Sequence, residues 1–129
     1  MPSPRFVALA AVFIASTACV HAAPGIGAIV SLTERQSATV APGAILTYDS
    51  VADSRCPPDV HCVMAGKVVY SFTLKQGDTL EHFTLSPAEP AFTSTVLNGK
   101  RVTLADTAPP PRAREAAAAH PVGVRIVAP

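Results

Sequence analysis

Several short runs after residue 27 carry apolar positions with a period of two. The clearest run is Lys67 to Leu74, where Val68, Tyr70, Phe72 and Leu74 fall on one face, because successive strand side chains point to opposite sides. Lys75-Gln76-Gly77-Asp78 reads as a turn, and Thr79 to Leu85 answers it. There Thr79, Glu81, Phe83 and Leu85 share one side and Leu80, His82 and Thr84 the other, so the pair predicts an antiparallel hairpin. Upstream, Ala28–Thr33, Ala38–Val40 and Ala44–Ser50 read as three further strands, with stops at Glu34-Arg35-Gln36-Ser37 and Pro42-Gly43. Downstream, Thr93–Leu97 and Lys100–Ala105 flank Asn98-Gly99, a hairpin signal because both residues tolerate positive φ. Val122–Val127 is the last strand. Arg112–His120 has room for two helical turns, which are marginal unless docked.

Many short strands, closely spaced turn signals and no amphipathic helix predict an all-β domain. The expected architecture is a small antiparallel β-sandwich, with a small β-barrel as the alternative. The Pro/Ala-rich segment Pro109–Pro121 reads as a long connection, since one strand cannot stand alone after it. The domain division is therefore a leader over residues 1–22 and one β-domain over residues 23–129.

The first 22 residues bear on where the domain resides. They have one basic residue (Arg5), an apolar run from Phe6 to Ala15, and an A-x-A-like cleavage site at Val20-His21-Ala22. This is the layout of a secretory signal peptide, and the apolar run is too short for a membrane span, which needs about 20 residues. Export to the periplasm or beyond is the expected localisation. Ser16-Thr17-Ala18-Cys19 also resembles a lipobox, with Ser16 where leucine is usual, so lipidation at Cys19 and a membrane-anchored lipoprotein form the alternative.

Arg5 is the only charged side chain in the leader, and the rest balances nine basic against nine acidic residues. That balance argues against nucleic acid or an anionic membrane surface as partner, both of which select for excess basic charge. The absence of tryptophan weakens a stacking platform for sugars or bases.

Candidate chemistry concentrates in Asp53-Ser54-Arg55-Cys56-Pro57-Pro58-Asp59-Val60-His61-Cys62-Val63-Met64-Ala65-Gly66. In an exported chain, Cys56 and Cys62 are most simply each other's disulfide partners. Extended chain would separate their Cα atoms by roughly 20 Å, whereas a disulfide needs about 5.5 Å. The segment must therefore double back, and Pro57-Pro58-Asp59 supplies the reversal. Asp53, Arg55, Pro57, Pro58, Asp59, His61 and Met64 are the expected residues of an interaction loop, although Met64, between Val63 and Ala65, also reads as a core residue.

The rival reading is a soft-metal site for copper or zinc, drawing on Cys56, His61, Cys62, Met64 and His82. Its spacing matches no standard motif, and a disulfide would remove both thiolates; no cofactor is expected. A redox dithiol would need CxxC in a βαβ setting. Asp53, Ser54 and His61 lack a nucleophile elbow or an oxyanion loop, so a turn-internal salt bridge and cap is the plainer reading and no enzyme is expected. His82 reads as a half-exposed cross-strand neighbour.

The run Asp53-Ser54-Arg55-Cys56-Pro57, four residues, then Cys62-Val63-Met64-Ala65-Gly66 resembles a family of small exported bacterial proteins and lipoproteins. Their pattern is approximately DSRCP, four residues, then C-x-W-A-G and a strand; Met64 stands here in place of the tryptophan. The resemblance covers the preceding strand and the following hairpin and fades in the C-terminal third. It implies an envelope or secreted setting and carries no activity. The function expected is a non-enzymatic binding or structural module whose partner, an envelope protein, meets the stapled loop.

Overall fold

The structure is a computed structural model that describes residues 24–110 and 119–129. The expected leader with Cys19, and nearly all of the 112–120 segment read as two helical turns, lie outside them. The described chain forms eight strands: β1 (Ile29–Leu32), β2 (Ser37–Ala41), β3 (Ala44–Asp53), β4 (Val68–Gln76), β5 (Thr79–Leu85), β6 (Ala91–Thr93), β7 (Arg101–Leu104) and β8 (Val122–Val127).

They make two antiparallel four-stranded sheets, ordered β1-β8-β7-β6 and β2-β3-β4-β5, which do not close on one another. The sandwich expectation holds and the barrel alternative does not. Four consecutive strands form the second sheet as a meander; β2–β3 and β4–β5 join through two-residue turns, while β3 and β4 are joined by the long segment 54–67. At the β4–β5 hairpin, Gly77 takes φ 59° in a two-residue turn, a conformation open to glycine at little cost.

Alternation places the core as expected. Leu74, Phe72, Tyr70 and Val68 of β4, with Phe83 and Leu85 of β5, bury against Val102, Leu104, Val122, Val124 and Ile126 of the other sheet in one cluster. A row of rings runs through it: Tyr70 edge-on to Tyr48, Tyr48 against Phe72, Phe72 against Phe83, and Phe83 stacked on Phe92 at 4.4 Å. Every aromatic residue after position 22 belongs to this row, so these few aromatics serve the interior.

Three elements depart from the sequence-based expectation. First, β3 continues past Ser50 to Asp53, so the suspect segment starts inside a strand. The register against β4 shifts between Tyr48 and Ser50, which makes Asp49 the extra residue of a β-bulge. Ala44, Leu46 and Tyr48 are buried before it, and Val51 and Asp53 take over that inward face after it. Second, Thr93–Leu97 is not a strand; β6 ends at Thr93 and residues 95–99 form turns. Asn98 and Gly99 do take positive φ, 57° and 81°, but within a longer connection to β7. Third, Met64 is 82% exposed and takes no part in the core.

Candidate functional site

The segment from Asp53 to Gly66 joins the ends of β3 and β4, and its base is built almost entirely from the residues that open and close it. Because the bulge turns Asp53 inward, its carboxylate lies under the chain that follows. Oδ1 accepts from the Arg55 backbone N–H at 3.1 Å and from Arg55 Nε at 2.8 Å, while Oδ2 accepts from Nη2 at 2.6 Å. The two side chains are only 13–14% exposed. Two-point pairing of this kind is stronger and more directional than a surface contact. Hydrogen bonding to Asp53 raises the guanidinium's already high value.

Ser54 ties the opposite strand end. Its backbone N–H donates to the Lys67 carbonyl at 3.0 Å, and its Oγ donates to that carbonyl at 3.1 Å. The Lys67 N–H donates to the same Oγ at 3.0 Å. Such an approach leaves no room for a side chain at the adjoining position. A Cβ on Gly66 would lie 1.6 Å from the Ser54 carbonyl oxygen and 2.6 Å from the Arg55 nitrogen. Glycine is required there by space.

Above the base, Cys56 and Cys62 are joined, with Cα atoms 5.9 Å apart. The reversal sits where the prolines place it: the Val60 N–H donates to the Pro57 carbonyl at 3.2 Å, with Pro58 and Asp59 at the centre of the turn. Pro57, Pro58, Asp59, Val60, His61, Val63 and Met64 are all exposed. Val60 is 56% exposed, Val63 fully, and Met64 nearly so. The segment thus divides into a pinned base and a tip that carries apolar side chains into solvent. Beside the base lies a mostly apolar cleft of about 240 Å³, lined in part by Arg55, Lys67, Val68 and Pro87.

The metal-site residues do not come together. Cys56 and Cys62 are bonded to each other, His61 and Met64 sit exposed at the tip, and His82 lies on β5, paired with Thr73. Among the described residues, no three His, Cys, Asp or Glu side chains are grouped to hold a metal ion. Asp53 and Ser54 serve the base, Asp53 through Arg55 and Ser54 through Lys67, apart from His61 at the exposed tip.

Residue-by-residue reading missed a second polar constellation, on the outer face of the β2–β5 sheet. The Thr73 hydroxyl donates to Asp49 Oδ2 at 2.7 Å and contacts His82 Nδ1 at 2.8 Å. The three come from β3, β4 and β5, at positions 49, 73 and 82, and the bulge at Asp49 brings the first into line. Cross-strand register was the only signal, since Thr73 and His82 are directly opposed in the β4–β5 hairpin.

No family model matches the chain, and neither the curated proteins nor the solved structures contain a match to it. Among the described residues no helix is long and apolar enough to cross a membrane.

Proposed function

We propose that this chain is an exported, non-enzymatic binding module of the cell envelope or secreted space, and that the tip of its stapled loop is the contact surface for a protein partner. The observation that carries this reading is the division of the loop. Asp53, Ser54, Arg55, Gly66 and the disulfide are committed to holding the base, while Val60, Val63 and Met64 stand in solvent on a frame that cannot relax inward. The disulfide and the pinned base constrain the backbone that carries these side chains, which lowers the entropy cost of association. The sequence resemblance agrees with the envelope setting, and its pattern has tryptophan at the position of Met64; either large residue would suit insertion into a partner's pocket.

The test is a double substitution, Val63→Ser with Met64→Ser, in the disulfide-intact protein. Surface changes of this kind alter stability by less than about 0.5 kcal/mol, so the melting curve stays in place. Crosslinking in an envelope fraction then yields a discrete partner band with the wild type and none with the variant. A band of equal intensity from both proteins rejects the loop tip as the contact. Metal analysis and thiol titration of the same sample test the copper or zinc alternative: bound metal with free thiols would replace the present reading.

A further inference from the structure

The outer-face constellation is independent of the loop, and its hydrogen bonding fixes more than position. A threonine hydroxyl has one proton to give, and an ionised carboxylate only accepts. The bond to Asp49 Oδ2 uses that proton. The 2.8 Å contact between Thr73 Oγ1 and His82 Nδ1 is then a hydrogen bond only if Nδ1 carries the ring's proton and donates. A neutral imidazole has one N–H, so Nε2 is left as a bare acceptor pointing away from Thr73. Free histidine in water carries no such constraint; here Asp49, acting through Thr73, selects the tautomer.

His82 lines an open depression of about 340 Å³ on the sheet, together with Asp49, Ser71 and Thr84. The charged groups that alternation directs to this side of β3, β4 and β5 are Asp49, Lys75 and His82, and Lys75 is not among the lining residues. The residues that line the depression carry a carboxylate, an imidazole and two hydroxyls, with no lysine or arginine among them. That set is complementary to a positive group carrying several N–H donors, and repels an anion.

We propose that this depression binds a primary ammonium group, with His82 Nε2 and Asp49 as its acceptors and Asp49–Thr73 positioning the imidazole.

Long-range proton–nitrogen NMR of the His82 ring in the purified protein tests the tautomer first. At about pH 8, where an ordinary imidazole is neutral, the proton is expected on Nδ1. In Thr73→Val the acceptor that holds it is gone, and the pattern moves toward Nε2–H; Thr73→Ser keeps the wild-type pattern. Asp49→Asn, whose amide donates to Thr73, frees the threonine proton for Nδ1 and drives the same reversal. Having these variants keeps the test decisive if one fails to fold. Ethylammonium, added next, is expected to shift the His82 signals saturably at about pH 8 and about tenfold more weakly in Thr73→Val. Tetramethylammonium, which has the charge but no N–H, leaves them unmoved. Wild-type His82 with its proton on Nε2, an equal response to tetramethylammonium, or a response to Zn²⁺ alone would each overturn the proposal.

Discussion

Two residues show how closely local chemistry is set by what surrounds it. Gly66 has no Cβ because the Ser54 carbonyl occupies that place, and the obstacle is backbone, which cannot rotate aside. Gly66→Ala must push the ends of β3 and β4 apart and break the three Ser54–Lys67 hydrogen bonds, so urea denaturation should register a loss of about 3 kcal/mol. Tyr48 is the opposite case. Its ring is fully buried in the aromatic row, but its hydroxyl has no hydrogen-bond partner among the described residues. Burial pushes that hydroxyl's pKa well up, so it stays protonated and still lacks an acceptor. Removing a buried, unmatched polar atom while keeping the ring is expected to be neutral or favourable. Tyr48→Phe should therefore unfold at equal or higher denaturant concentration, by up to about 1 kcal/mol, and a clear loss of stability would contradict the assignment.

At the scale of elements, the disulfide closes a short ring on a base that already has its own ties. Joint replacement of Cys56 and Cys62 by alanine should cost about 2 kcal/mol on the chain-entropy model. The β-sheet circular dichroism should persist, because β3 and β4 pair from Ala44–Gln76 to Asp53–Val68 without help from the loop. Elements of this kind were legible where one signal sufficed. Strands β5 and β8 have the expected bounds because each is short and bracketed by turn or proline residues, Gly77-Asp78 and Ser86-Pro87 for β5 and Pro121 before β8. Strand β3 was cut short because a bulge inverts the alternation: after Asp49 the inward positions change from even to odd, and the run stops looking like a strand. The Asn98-Gly99 signal correctly marked positive φ, but dihedral preference does not specify how many residues a connection contains. In the loop, Asp53, Arg55 and the cysteines stood out by composition. The roles of Ser54 and Gly66 did not, since each depends on a backbone segment more than ten residues away. Met64 was misread for a related reason: hydrophobicity predicts burial only where the fold supplies something to bury against.

The whole molecule depends on how two sheets are held face to face, and hydrophobic packing is not the only tie. Glu81 sits on the inward side of β5, near the edge, where its carboxylate reaches the connection between β6 and β7. Ser94 donates its hydroxyl to Oε2 at 2.5 Å, and Thr95 donates its N–H and its hydroxyl to Oε1 at 3.1 and 2.9 Å. Ser94 is fully buried and also receives the Leu97 N–H, so one carboxylate organises the turn that ends β6. Burial pushes the Glu81 carboxyl up, but the hydrogen bonds from Ser94, Thr95 and the Val96 backbone outweigh it and hold the group below the usual carboxylate range. A carboxyl whose folded value is depressed stabilises the fold above its unfolded value, and that contribution disappears as pH falls through the folded one. The tie between the sheets should thus be intact near neutral pH and lost in acid. Glu81→Gln keeps the side chain's shape and removes the titration. Urea denaturation from about pH 7 to about pH 3 should show the wild type more stable at the neutral end, with the gap closing as pH falls. Parallel curves, with a constant gap at every pH, would mean that Glu81 acts through shape alone and that the sheets are joined by their apolar faces. The expected convergence would instead identify one ionised side chain as a pH-dependent link between β5 and the opposite sheet.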